Sequence, residues 1–171
     1  MTTENPSSSV SPGPSRRPDP GLVIWFTGLS GAGKTTLAIA VENDLLQRGR
    51  PSVILDGDVL RRGLCKDLGY GAADRHENVR RAGAVAGLMA EAGLICLVAL
   101  ISPFRADRAT AREVAPPGRF VEVFVNASLA VCERRDVKGL YRKARANQIP
   151  DFTGISSPYE ELESPELVLC T

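Results

Sequence analysis

A glycine-rich segment near the N-terminus carries the residue types that bind a polyphosphate. It reads GLSGAGKT from Gly28 to Thr35 and matches the pattern G-x-x-x-x-G-K-[ST]. Glycines let backbone N–H groups close around phosphate oxygens at the start of a helix. Lys34 would then reach the β- and γ-phosphates, and the Thr35 hydroxyl would ligate Mg²⁺. The predicted Mg·ATP site comprises Gly28, Ser30, Gly31, Ala32, Gly33, Lys34 and Thr35.

Two carboxylates follow the next apolar segment of the chain, at Asp56 and Asp58. Beside a phosphate site they could hold metal-bound water or accept the proton of an acceptor hydroxyl. The alternative is structural, because Asp58 precedes a plausible helix and could serve as its N-cap. The neighbouring glycine-rich segment makes us favour the chemical role.

Arginines are concentrated in the middle of the chain, at Arg61, Arg62, Arg75, Arg80, Arg81, Arg105 and Arg108. A guanidinium matches phosphate and sulfate geometry and keeps its charge when it is desolvated. Arg61 and Arg75 lie near loops and are the better anion-binding candidates. For Arg62, Arg81 and Arg108 we favour a solvated helix face.

Two aromatic residues and one basic segment are open to two interpretations each. Tyr70 and Phe152 lie in glycine-bearing loops, where they could fill the core or stack on a purine. The segment from Lys138 to Arg145 could close over bound phosphates and exclude water, or it could be an exposed basic helix. The residues alone leave both choices open.

Short apolar runs alternate with amphipathic segments from residue 21 onward. The predicted strands cover 22–26, 52–55, 94–100, 120–125 and 166–170, and the predicted helices cover 35–48, 78–92, 106–114, 129–134 and 140–146. Such alternation requires crossover connections and therefore a parallel sheet. We predict a three-layer α/β fold with a mostly parallel sheet of about five strands. Ligands bind such sheets beyond the carboxyl ends of the strands, where the polar segments described above lie.

Length, charge and composition limit the classes of protein that need consideration. The 171 residues suffice for one domain, and a net charge of +1 gives no reason to expect nucleic-acid or membrane partners. Residues 1–20 are rich in Ser and Pro and predict a disordered tail, which leaves 21–171 as the folded domain. The four cysteines show no metal-binding spacing and are interpreted as reduced packing residues of a cytoplasmic protein.

Several further segments, taken in order, resemble one known family. GLSGAGKTT, LDGDVLRRGL, DLGY, DRHENVRR, ISPFRADR, FVEVFVNASLAVCERRDVKGLYRKAR and FTGISSPYE are similar to segments of the adenylylsulfate kinases, which include the kinase half of bifunctional PAPS synthases. The likeness runs from about Trp25 to the last residue. It implies a P-loop kinase that moves the γ-phosphoryl of Mg·ATP onto the 3′-hydroxyl of adenosine 5′-phosphosulfate.

The resemblance also implies roles for individual residues. Gly31 to Thr36, the last threonine included, would hold the ATP phosphates and Mg²⁺. The acceptor site would comprise Asp58, Arg61, Tyr70, Arg75, Asn78, Ile101, Ser102, Asp151 and Phe152, with Lys138 in a lid. Tyr70 and Phe152 would then enclose the acceptor's adenine. Ser102 matches a serine described in some members as a phosphoserine intermediate, but we expect direct in-line transfer because His76, the sole histidine, is distant from it in sequence.

Some expectations concern alternatives, partners and the end of the chain. The predicted catalytic residues of the kinase are Lys34, Asp58 and Ser102. There are two alternative functions. The protein could be a non-catalytic nucleotide-binding module of a sulfurylase, or a P-loop kinase for another small acceptor, such as a sugar acid. A homodimer and an association with, or fusion to, ATP sulfurylase are further expectations about partners. Family members continue after the fifth strand with a loop and a helix, which we expect to be missing here because the sequence ends at Thr171.

Overall fold

Five parallel strands form the central sheet of the computed structural model, and the structure describes residues 19–171. The strands are β1 (Leu22–Thr27), β2 (Ser52–Asp56), β3 (Ile95–Ala99), β4 (Phe120–Asn126) and β5 (Leu167–Cys170), in the spatial order β2-β3-β1-β4-β5. β1 is the central strand, and it pairs with β3 on one side and with β4 on the other. The chain therefore adds strands first on one side of β1 and then on the other. The prediction of a parallel α/β fold with about five strands is confirmed.

Six helices connect these strands. They are α1 (Lys34–Gln47), α2 (Gly57–Arg62), α3 (Ala72–Glu91), α4 (Arg105–Glu113), α5 (Leu129–Arg135) and α6 (Leu140–Arg145). Most predicted bounds agree within one or two residues, but α3 begins six residues before the predicted start at Asn78. Its first turns contain Ala, Arg and Glu, which favour a helix but carry no apolar periodicity that would reveal one.

A hydrophobic core lies on each face of the sheet. On one face Trp25 and Val98 pack with Val79 of α3 and Ala111 of α4. In this layer α3 passes close to the end of α4, since a Cβ on Gly87 would lie 2.4 Å from the carbonyl oxygen of Val114. The close contact fixes α4 against α3, and with it the loop that precedes α4.

The opposite face holds the second core. Phe26, Leu97 and Val123 pack there with Ala38 of α1 and Tyr141 of α6. Because successive side chains of a strand point to opposite faces, β1 sends Trp25 into one core and Phe26 into the other. The sheet and its two helical layers therefore hold the carboxyl end of β1 rigidly in the centre of the molecule.

Cysteine burial differs from the prediction at one position. Cys65, Cys96 and Cys132 are buried, as expected of packing residues, whereas Cys170 is exposed. The prediction was wrong for Cys170 because β5 is an edge strand with mostly exposed side chains. Within residues 19–171, no helix is both long enough and apolar enough to cross a membrane. Most of the predicted tail, residues 1–18, lies outside the described residues.

Candidate active site

The glycine-rich segment forms a tight turn between β1 and α1, as predicted. Gly28, Gly31 and Gly33 have φ values of 142°, 77° and 104°, which side chains other than glycine's rarely tolerate. At Gly28 a Cβ would also lie 2.5 Å from the carbonyl oxygen of Val125. The turn brings backbone N–H groups to the N-terminus of α1, where an anion is favoured.

Lys34 folds back over this turn. Its Nζ donates hydrogen bonds to the carbonyl oxygens of Gly28 and Leu29, at 2.9 and 2.7 Å. Only 8% of the residue is exposed, and this burial lowers the pKa of the amine to about 8. The ammonium therefore lies inside the turn and could bind a phosphate with a small side-chain movement.

The lowered pKa of Lys34 predicts that ATP binding weakens as the pH rises. Burial disfavours the charged amine, whereas a bound polyphosphate favours it, so above pH 8 binding must take up a proton. We expect ATP affinity at pH 9 to be about tenfold weaker than at pH 7. Calorimetric titration at both pH values would measure this change. Lys34→Arg, which stays charged, should show a flat profile, and a flat profile in the wild type would contradict the assignment.

Two oxygen ligands lie next to the turn. The Thr35 hydroxyl donates to Asp56 Oδ2 at 2.6 Å, while Asp56 Oδ1 accepts from the backbone N–H of Asp58 at 2.9 Å. Asp56 is thus the N-cap of α2, and the alternative that gave this role to Asp58 was wrong. A hydroxyl and a carboxylate in contact are the hard oxygen ligands that Mg²⁺ prefers, so Thr35 and Asp56 fit a magnesium site.

Asp58 is available for chemistry because it does not cap the helix. It lies in the first turn of α2, is largely exposed, and forms an ion pair with Lys138. Lys138 precedes α6 by two residues, and Tyr141 of that helix donates to the carbonyl oxygen of Ser30 in the glycine-rich turn at 2.9 Å. The ion pair joins the predicted lid to the predicted acceptor site.

Arg61 and Arg75 both support the loop that carries Tyr70. Arg61 donates to the carbonyl oxygen of Gly69 at 2.8 Å, and its guanidinium carbon lies 4.3 Å from the centroid of the Tyr70 ring. Arg75 is buried and donates to the carbonyl oxygens of Tyr70 and Asp151, at 2.8 and 2.9 Å. Arg75 therefore links the two loops that contain the aromatic candidates.

The two aromatic residues have different surroundings. Tyr70 is 56% exposed, whereas Phe152 is 6% exposed and meets the ring of Tyr141 edge-on, with 5.0 Å between centroids. Both side chains nevertheless line the same cleft. Phe152 thus belongs to the core and also presents a surface to the cleft, so its two interpretations are compatible.

Ser102 follows β3 in an uncommon backbone conformation, with a φ of 44°. Its Oγ accepts a hydrogen bond from Trp25 Nε1 at 2.9 Å, and the residue is 2% exposed. The carbonyl oxygen of the preceding Ile101 accepts from the Thr27 hydroxyl at 2.7 Å. The serine hydroxyl therefore contacts an indole and not a base, while His76 pairs with Asp107 of α4.

One cleft of about 990 Å³ brings nearly all the predicted residues together. The members that line it are Ser30, Gly31, Ala32, Gly33, Lys34, Thr35, Thr36, Asp58, Arg61, Tyr70, Arg75, Asn78, Ile101, Ser102, Lys138 and Phe152. Gly28 and Asp151 are outside the lining and contribute carbonyl oxygens to Lys34 and Arg75. The buried Nδ2 of Asn78 has no hydrogen-bond partner among the described residues, as expected of a group that binds a ligand.

Two arginines show where the sequence prediction fell short. Arg135, which was not predicted, lines the cleft and donates to the carbonyl oxygen of Gly31 at 3.3 Å. Arg108, predicted to be solvated, is only 4% exposed and pairs with Glu122 of β4. The prediction for Arg108 was wrong because a buried carboxylate on a distant strand compensates its charge. No local sequence signal distinguishes either residue from its exposed neighbours.

The protein is similar to known proteins along nearly its whole length. A family model described as adenylylsulphate kinase matches residues 20–170. The adenylyl-sulfate kinase of Acaryochloris marina is 58% identical over 87% of this chain and 73% of its own length. That of Aeromonas hydrophila is 61% identical over 86% of this chain and 75% of its own length. The structure of the Mycobacterium tuberculosis APS kinase CysC in complex with AMPPNP and APS superposes with a TM-score of 0.86, at 50% identity and 90% coverage of both chains.

Proposed function

Because the chain belongs to the adenylylsulfate kinase family, we propose that its cleft transfers the γ-phosphoryl of ATP to the 3′-hydroxyl of adenosine 5′-phosphosulfate. The main support for this function is that one cleft is lined both by the glycine-rich turn and by the two aromatic residues, Tyr70 and Phe152. The test is adenylylsulfate-dependent release of ADP from ATP, measured in a coupled assay. ADP release that is independent of adenylylsulfate would contradict it.

The donor side of the cleft would act by positioning and charge. Backbone N–H groups of the turn surround the β- and γ-phosphates, and Lys34 leaves its two carbonyl partners to follow the developing charge. Thr35 and Asp56 would hold Mg²⁺, which neutralises charge on the phosphates when it is bound. Arg135 adds positive charge beside the turn.

The acceptor side would hold the adenylylsulfate so that its 3′-hydroxyl faces the γ-phosphate. Tyr70 and Phe152 would enclose the adenine, and Asn78 Nδ2 would donate to the bound nucleotide. Asp58 would accept the hydroxyl proton as the new bond forms, after Lys138 exchanges its carboxylate partner for a phosphate oxygen. The two positive charges of Lys34 and Lys138 then lie near the transferred group.

Direct transfer predicts a modest effect for Ser102→Ala. The serine hydroxyl accepts from Trp25 and is almost fully buried, so it serves the turn and not the transferred phosphoryl group. We expect turnover within about tenfold of the wild type, the cost of one hydrogen bond. After incubation with γ-labelled ATP, no label should be retained on the protein. A stoichiometric label on Ser102 that proceeds to product would establish the two-step route instead.

The non-catalytic alternative has less support. A module that only binds nucleotide has no need of a phosphoryl-stabilising lysine, yet Lys34, Thr35 and Asp58 all line this cleft. A homodimer and an association with ATP sulfurylase stay predictions about partners.

A further inference from the structure

One buried cation of the protein does not line the cleft. Arg108 of α4 is 4% exposed, and its Nε lies 3.1 Å from Glu122 Oε1. Its Nη1 donates to the carbonyl oxygen of Ser102 at 2.9 Å, and its Nη2 donates to those of Glu160 and Glu161 at 3.1 and 3.3 Å. A guanidinium is costly to bury unless its charge and donors are matched. Here one carboxylate and three carbonyl groups hold it in place.

The carbonyl groups that Arg108 binds belong to two separate segments. Ser102 and Pro103 lie in the wall of the cleft, at the end of β3. The second segment, 160–161, follows the loop that carries Phe152. The two segments also contact each other directly, since the backbone N–H of Glu160 donates to the carbonyl oxygen of Pro103 at 2.9 Å. Arg108 therefore joins two segments that come from distant parts of the chain.

The turn at Ser102 needs such support. A φ of 44° is unfavourable for a residue with a side chain and persists only where the surroundings enforce it. Trp25 holds the serine through its hydroxyl, and Arg108 holds it through its carbonyl oxygen. Without the guanidinium, that carbonyl oxygen would keep only the longer contact from the Thr27 hydroxyl, at 3.5 Å, and the turn could relax toward a commoner conformation.

We infer that Arg108 is a positioning residue that fixes the 101–103 turn against the 160–161 segment and thereby sets the affinity for the acceptor. This inference rests on the proposed function. The predicted donor-binding residues lie on the glycine-rich turn and α1, whereas the carbonyl partners of Arg108 lie on the other two segments. The acceptor site should therefore depend on Arg108 more strongly than the ATP site does.

The test is Arg108→Lys. Lysine keeps a positive charge opposite Glu122, but its compact ammonium cannot reach carbonyl groups on two segments at once. We expect the KM for adenylylsulfate to rise about tenfold, the effect of one or two lost hydrogen bonds, with the KM for ATP changed by less than about twofold. Equal increases in both KM values, or unchanged KM values with a lowered melting temperature, would overturn the inference.

Arg112→Lys is the matched control. Arg112 lies one helical turn further along α4, is half-exposed, and pairs with Glu122 at 3.5 Å and Glu166 at 2.6 Å. Its side-chain hydrogen bonds within residues 19–171 go to these two carboxylates and to no carbonyl of the cleft wall. We expect both KM values of this variant to stay at the wild-type level. An increase in the adenylylsulfate KM as large as that of Arg108→Lys would contradict the inference, because it would show that guanidinium contacts with Glu122, and not the carbonyl contacts of Arg108, set the affinity for the acceptor.

A second variant covers the case in which Arg108→Lys fails to fold. Arg108→Gln combined with Glu122→Gln removes both buried charges, so neither is left uncompensated. The same rise in the adenylylsulfate KM is expected, and its absence would contradict the inference. The wild type separates the two claims, because an inactive wild type contradicts the proposed function. An active wild type with an unchanged adenylylsulfate KM in the Arg108 variant contradicts only the inference.

Discussion

Lys34→Ala is expected to lower kcat by about a hundredfold or more while the protein stays folded. The ammonium stabilises charge that develops on the transferred phosphoryl group, and removing one such donor has a cost of this order. Its present partners are carbonyl groups of its own turn, so no long-range contact is lost. The measurement is steady-state turnover with adenylylsulfate, together with a melting curve.

Lys66→Ala is the control for this variant. Lys66 is exposed and lies outside the cleft lining, so its loss changes the net charge equally but leaves turnover unaffected. Near-normal turnover in folded Lys34→Ala would exclude the proposed role of the lysine. A large loss in Lys66→Ala would indicate a general effect of charge on substrate attraction.

Phe152→Leu is expected to weaken adenylylsulfate binding about tenfold to a hundredfold, the range for loss of base–aromatic stacking. Alanine is a poorer choice because Phe152 is also packed against Tyr141, and a cavity there would destabilise the domain. Leucine fills most of that space but has no aromatic face. Titration of each nucleotide into the purified variant should show a change for adenylylsulfate and almost none for ATP.

Two comparisons complete this test. Tyr70→Phe keeps the aromatic face and should bind adenylylsulfate almost as the wild type does. Arg75→Lys should weaken it more than conservation of charge suggests, because one ammonium cannot reach the carbonyl groups of both Tyr70 and Asp151. If Phe152→Leu weakens the binding of ATP and of adenylylsulfate equally and also lowers the melting temperature, Phe152 is a packing residue and the acceptor lies elsewhere.

The parts of the fold that follow from local patterns could be predicted from the sequence. Apolar runs mark strands buried on both faces, and the glycines between β1 and α1 mark a turn that requires positive φ. The sequence correctly placed Asp56 and Asp58 at the end of a strand, but it did not predict which of the two caps α2. Asp56 is the cap because α2 begins at Gly57 and Asp56 Oδ1 accepts from the backbone N–H of Asp58.

Features that depend on distant segments could not be predicted in this way. Nothing in the local sequence separates Arg62 from Arg108, yet the Arg62 side chain is exposed and the Arg108 side chain is buried. Arg108 can be buried because it forms an ion pair with Glu122 of β4. Cys170 resembles the buried cysteines but lies on an edge strand, a property of sheet order and not of local composition. The hydrogen bond from Arg75 to the carbonyl oxygen of Asp151, 76 residues away, likewise exists only in the folded chain.

The contact between Trp25 and Ser102 makes Trp25 an intrinsic fluorescent probe of the cleft. Trp25 is the single tryptophan of the sequence and is fully buried, so the intrinsic fluorescence of the protein comes mainly from one indole. The N–H of that indole is bonded to the hydroxyl of a residue that lines the cleft. Any ligand that shifts the 101–103 turn alters the surroundings of the fluorophore and hence its emission. Because Ser102 belongs to the predicted acceptor site, we expect adenylylsulfate binding to change this emission, so that binding to the unlabelled protein could be followed before any phosphoryl transfer occurs.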